Sequence, residues 1–190
     1  MEKVYIEEKE FKNEDFIAHP LEKGHYELCT FTNCRFTAAD LSGCIFIECE
    51  FKSCDLNNVK LLGTGFQDVR FDSCKLMGLR FEDCRTLLLS FAFNHCHLDL
   101  SSFYELKLPG TSFKECSLAE ADFTAATIKK ADFSGCNLQG ATFDRTDLEG
   151  ADLRTAENYV IDPTVNKIKK ARFSLTGLPG LLASFDIRID

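Results

Sequence analysis

Tryptophan is absent from this chain, whereas phenylalanine occurs 18 times among its 190 residues. That skew points to one interior environment, met again and again, that takes a single ring shape. Long apolar runs are also lacking; nothing approaches the ~20 residues that a membrane-spanning helix needs. The opening stretch MEKVYIEEKEF is charged throughout and has no apolar segment of the kind a secretory signal carries. Basic charge is scarce: 22 lysines and arginines stand against 30 acids, a formal net charge of -8. Direct nucleic-acid binding, which rests on a basic patch, is thereby disfavoured, while a basic protein partner is permitted. A cytoplasmic location is expected, and with it ten reduced thiols rather than disulfides.

What the chain does have is a period of five. From Phe11 every fifth residue is apolar or Tyr: Phe11, Phe16, Leu21, Tyr26, Phe31 and so on to Phe81. Thr86 interrupts the series, which resumes two residues out of phase at Leu88 and runs through Phe93, Leu98 and Phe103 to Leu153. A small residue usually stands two places before each centre, and all ten cysteines fall at that one position, as Cys44, Cys49 and Cys54 do in CIFIECEFKSCDL. Glycine is frequent two places after the centre, for example at Gly43 and Gly63.

This period fits neither standard element. On a helix a five-residue stripe would wander around every face, and on a straight strand five residues flip the side chain to the opposite face. Centre and small residue can both point inward only if the chain turns a corner every five residues. Four such corners close a square coil of about 20 residues, and the coils stack at roughly 4.8 Å, the strand-pairing distance. So narrow a tube holds one large and one small side chain per face, and cysteine is expected there as a small apolar filler. Cys34, Cys54 and Cys74 should form one internal column, as should Cys96, Cys116 and Cys136.

The pattern resembles the pentapeptide repeat family, whose consensus reads small, polar, Leu or Phe, then two free positions. ADLSG (39–43), ADFTA (121–125), ADFSG (131–135) and ADLRT (151–155) carry the resemblance, which covers roughly 11–155. It implies an all-β solenoid, a right-handed quadrilateral β-helix, with a short C-terminal helical cap. The expected organisation is a β-helix over 1–155, in two runs at 11–83 and 88–155 with a register slip near 84–92, followed by a cap and dimerisation segment at 156–190. The tail GLPGLLASFDIRID is similar to that of the quinolone-resistance branch of the family. The likeness implies a homodimer through Leu181, Leu182, Phe185, Ile187 and Ile189. It also implies an acidic DNA mimic that binds a type II topoisomerase, DNA gyrase or topoisomerase IV, and protects against quinolones. The alternative is a generic protein-interaction scaffold with no topoisomerase contact.

No catalytic constellation emerges, and no enzyme, cofactor or membrane association is expected. HCH at 95–97 is the most metal-like string, but the repeat turns Cys96 inward and His95 and His97 outward, so the three cannot converge on one ion. GTGFQD at 63–68 lacks the third glycine and the Lys-Ser/Thr pair of phosphate-binding loops. Every carboxylate is placed on a solvated wall. Among these, Asp132, Asp144, Asp147, Glu149 and Asp152 are the candidate partner-binding residues. Asp132 and Asp152 should stack as a like-charge pair, which costs stability, whereas Asp15, Arg35, Asp55 and Lys75 alternate in sign up their column.

Overall fold

The structure, a computed structural model, describes residues 4–188. The chain winds into a β-solenoid of about eight turns with parallel pairing throughout and one short C-terminal helix, as expected. Wall 1 carries the six-stranded ladder in which Phe11, Phe31, Phe51, Phe71, Phe93 and Phe113 lie in register. Walls 2 and 3 follow it around the coil and are held by isolated bridges, Asp15 to Arg35 to Asp55 to Lys75 on wall 2 and Asp40 to Lys60 on wall 3. Wall 4 pairs Val4–Glu7, Gly24–Glu27, Ile45–Ile47 and Gly65–Gln67.

The centres fill the tube as stacked rings. On wall 1, Phe31 and Phe51 lie 4.6 Å apart and Phe51 and Phe71 5.1 Å apart, nearly parallel in each case. On wall 3, Phe81, Phe103, Phe123 and Phe143 stack at 4.8, 4.9 and 5.2 Å. Rings on different walls meet edge to face, as Phe113 of wall 1 and Phe123 of wall 3 do at 5.8 Å, so both favoured aromatic geometries recur along the axis. The turn out of each wall takes a left-handed residue two places after the centre, at φ +74° for Gly43 and +67° for Gly63. This is the backbone reason for glycine at that place.

The corners are of two kinds. In closed corners the backbone N–H of the small residue bonds the carbonyl of the preceding centre, as Ala121 does to Leu118 at 3.1 Å and Ala131 to Ile128 at 3.2 Å. In open corners the thiol one coil further on accepts that N–H instead: Cys34 N–H meets Cys54 Sγ, Cys54 meets Cys74, and Cys96 meets Cys116, each at 3.4 Å. The Cys54 thiol also faces the carbonyls of Phe31 at 3.3 Å and Lys52 at 3.4 Å. The last open corner uses an amide: Thr146 N–H donates to Asn166 Oδ1 at 2.8 Å, and Asn166 Nδ2 returns to Phe143 O at 2.9 Å. Cysteine is thus more than the expected filler; at open corners it satisfies buried backbone groups.

The slip is a two-residue outward bulge. Val69 pairs with Phe91 and Phe71 with Phe93, so the register steps by 22 there and by 20 elsewhere. Leu88, expected as a centre, is instead 64% exposed with φ +58°, beside Leu87 at 75%. The interior that it vacates is filled by half-buried Leu89 and by Phe91, whose ring packs on Phe81 at 5.2 Å and Phe93 at 5.0 Å. Phe91 stands at a small-residue position because the neighbouring centre has left the tube.

Pairing runs on past residue 155: Asp147 pairs with Lys167, Asp152 with Arg172 and Leu153 with Phe173. Tyr159 and Ile161 are buried in this last coil. The helix Leu178–Leu182, with Pro179 in its first turn, lies over it and continues as a 3-10 turn through Phe185. Gly180 allows the approach, because a Cβ there would sit 2.0 Å from the carbonyl oxygen of Tyr159. Among the described residues, no helix is long and apolar enough to cross a membrane.

Candidate binding walls and cap

The five candidate carboxylates do not converge. Asp132 and Asp152 lie on wall 1, paired in adjacent coils as expected; Asp144 is on wall 3, and Asp147 and Glu149 are on wall 4. Each has a cation beside it. Asp152 meets Arg154 at 2.7 Å and Arg172 at 3.4 Å, Asp132 meets Lys114 at 3.5 Å, and Asp144 meets Arg145 at 3.0 Å. Lys129 reaches both Glu149 at 3.0 Å and Asp147 at 3.3 Å. The Arg154 bond holds the Asp152 carboxyl below its ordinary range, and the Lys129 bond does the same for Glu149. For Asp132, burial works against ionisation, but the hydroxyl and N–H of Ser134, with Lys114 nearby, outweigh it and the net direction is down. Asp147 is a correction to the solvated-wall expectation: it is only 8% exposed, covered by Lys129 and Lys167.

A different acidic strip survives without cations. Asp99, Glu120 and Asp122 lie on walls 2 and 3 and on the corner between them, and none makes an ion pair among the described residues. Asp99 accepts the backbone N–H of Ala119 at 2.9 Å and the hydroxyl of Ser117; Asp122 accepts the N–H of Thr124 at 2.8 Å. These bonds fix both carboxylates while leaving their charge uncompensated. The sequence held the signal, since no lysine or arginine stands twenty or twenty-two residues from Asp99 or twenty from Glu120 and Asp122.

At the cap, Leu181 enters the core and Leu182 is half-buried. Phe185, expected to help cover the tube, is 47% exposed, because Tyr159, Ile161 and Leu181 already close that end. Ile187 is 55% exposed in irregular backbone rather than in a strand, and Ile189 lies outside the described residues. With Leu175 at 86%, Phe185 and Ile187 leave an apolar surface on the cap.

Among the described residues no group of side chains is arranged to hold a metal. The ten cysteines are all buried, and burial pushes the Cys49 thiol up to about 12 and the Cys136 thiol likewise to about 12. Such thiols are poor nucleophiles and poor ligands at neutral pH.

Comparison with known proteins agrees with this picture. Among solved structures, a trypsin-treated form of QnrB1, a plasmid-mediated fluoroquinolone resistance protein, is 20% identical with a TM-score of 0.67, spanning 97% of this chain and 91% of that one. HetL, a pentapeptide repeat protein involved in heterocyst differentiation regulation from the cyanobacterium Nostoc sp. strain PCC 7120, is 15% identical with a TM-score of 0.55, spanning 90% of this chain and 88% of that one. No curated protein matches the sequence. The family model described as the pentapeptide repeat region matches residues 25–92 and 80–153. With the five-residue period, the square coil and that match in agreement, this chain belongs to the pentapeptide repeat family.

Proposed function

We propose that the protein is a non-catalytic binding rod that engages a type II topoisomerase, DNA gyrase or topoisomerase IV, as an acidic mimic of DNA. The observation that carries this reading is the strip of Asp99, Glu120 and Asp122, three carboxylates without cations, two of them fixed by hydrogen bonds, on a rod of net charge -8. Enzymes that hold duplex DNA present basic saddles, and a rigid anionic rod competes for them through the same electrostatics. The likeness to QnrB1, a fluoroquinolone resistance protein, supports the choice of partner. In this reading the apolar surface of Leu175, Phe185 and Ile187 joins two copies at their caps and doubles the length of the rod.

Binding to immobilised gyrase at low and raised salt tests the reading. Wild type is expected to bind at low salt and to release as salt rises. Asp99→Asn, Glu120→Gln and Asp122→Asn together are expected to weaken binding by tenfold or more, and Asp132→Lys with Asp152→Lys to weaken it less. Absence of wild-type binding at low salt would replace this reading with that of a scaffold for another protein.

A further inference from the structure

Wall 4 is electrically bipolar. Up to the bulge its outer residues include Glu7, Glu8, Glu27, Glu48 and Asp68, with no lysine or arginine among them. Beyond the bulge they include Lys107, Lys129, Lys130, Lys167, Lys169 and Lys170, with only Asp147 and Glu149 opposed. Between the two ends lies a mainly apolar middle, where Ile45, Gly65, Phe66 and the exposed Leu87 and Leu88 line a cleft of about 140 Å³ together with Gln67 and the one cation of the bulge coil, Arg85. On wall 2, Asp15, Arg35, Asp55 and Lys75 alternate in sign, and Arg35 bonds Asp15 at 2.9 Å. Neighbouring coils favour such alternation, and wall 4 departs from it up to the bulge, where no cation stands among its acids. Glu7, Glu8, Glu48, Lys107, Lys130, Lys169 and Lys170 make no ion pair among the described residues.

The wall is also self-complementary. The bulge coil has equal numbers of coils on either side, so a two-fold axis through it lays the wall antiparallel on a copy of itself. The coil of Glu8 then faces that of Lys169, Glu48 faces Lys130, and Asp68 faces Lys107. Only Glu27 faces acids, Asp147 and Glu149, and both of these are already held by Lys129. An isologous interface requires one patch that carries both complementary halves at matched distances from the axis. An unrelated partner would require no such symmetry.

We propose that wall 4 is a docking surface for a second copy of this chain, laid side by side and antiparallel, with the apolar bulge at the centre and opposite charges at both ends. This contact is separate from the cap and does not depend on topoisomerase binding.

The test is made in full-length chain carrying Leu175→Asp and Phe185→Asp, which puts charge into the apolar cap surface, with mass read by sedimentation equilibrium in low salt. The expected mass is that of two chains, falling to one as salt rises. Glu7→Lys, Glu8→Lys and Glu48→Lys together should give monomers, as should Lys107→Glu, Lys130→Glu and Lys169→Glu together. Equimolar mixing of those two variants should restore the dimer, and so should placing both sets in one chain. Circular dichroism melting checks that each variant is folded. A monomer before any charge is reversed would overturn the proposal, as would dimers indifferent to single-end reversal or no recovery in the mixture.

Discussion

Open and closed corners solve the same problem with different atoms. In a closed corner the chain folds far enough for the small residue's N–H to reach the centre before it, and alanine suffices, as at Ala121, Ala126 and Ala131. In an open corner that bond is missing, and a side chain one coil away must accept the N–H: a thiol at Cys54, Cys74 and Cys116, an amide at Asn166. Cysteine also stands at closed corners, as at Cys44 and Cys136, but in the open ones its sulfur takes the bond that the backbone leaves unmade. At those open corners what alanine lacks is acceptor capacity.

The largest expected effect tests whether the two walls share one kind of core. Phe51→Ala on wall 1, beside the open corner at Cys54, should cost about 3–5 kcal/mol, and Leu56→Ala on wall 2, beside the closed corner at Val59, about 2–5 kcal/mol in urea unfolding. A near-neutral Leu56→Ala would mean that the walls differ in their cores as well as their corners.

Next comes the amide corner. Asn166→Ala strands the Thr146 N–H and the Phe143 carbonyl in a buried site, with an expected loss of about 2–3 kcal/mol by the same measurement. The thiol corners should show a smaller version of the contrast. Cys54→Ala removes the acceptor of Cys34 N–H and should cost about 1–2 kcal/mol, whereas Cys44→Ala, whose own N–H bonds Leu41 at 3.0 Å, should cost below about 1 kcal/mol. Equal losses at Cys44 and Cys54 would erase the distinction.

The smallest effect is a pH slope. Burial raises the Cys49 thiol to about 12 and the Cys34 thiol to about 11, against about 8.5 in an unfolded chain. The folded thiols keep their protons where the unfolded ones lose them. Their contribution to stability is therefore complete below about pH 8.5 and declines as pH climbs toward the folded values. Melting temperature followed from pH 8 upward should fall, and the fall should shrink in a variant with Cys34 and Cys49 replaced.

Much of this was legible in the sequence because an interior column needs only a period. Phe31, Phe51 and Phe71 stack where five-residue counting puts them. Counting fails where a residue's fate depends on its neighbours. Leu88 has the phase of a centre, yet the shortest repair of a two-residue insertion is to push the extra backbone outward and let Phe91 fill the gap. The density of acids along the chain blends walls facing different directions. Charge that matters at a surface has to be added up column by column, and that sum exposes Asp99, Glu120 and Asp122 and the two poles of wall 4. The corner type was invisible, since it is a matter of whether a carbonyl comes within reach.

The cap helix that crosses Tyr159 has one further consequence. A stack of coils with rings repeated every 4.5 to 5.5 Å along the axis is a fibril of finite length, wound from one chain instead of many. Its last coil would template another strand as readily as the coil beneath it did. Leu178–Leu182, seated through Gly180, is what stops that growth. Losing it should not unwind the rod so much as turn its end into a seed.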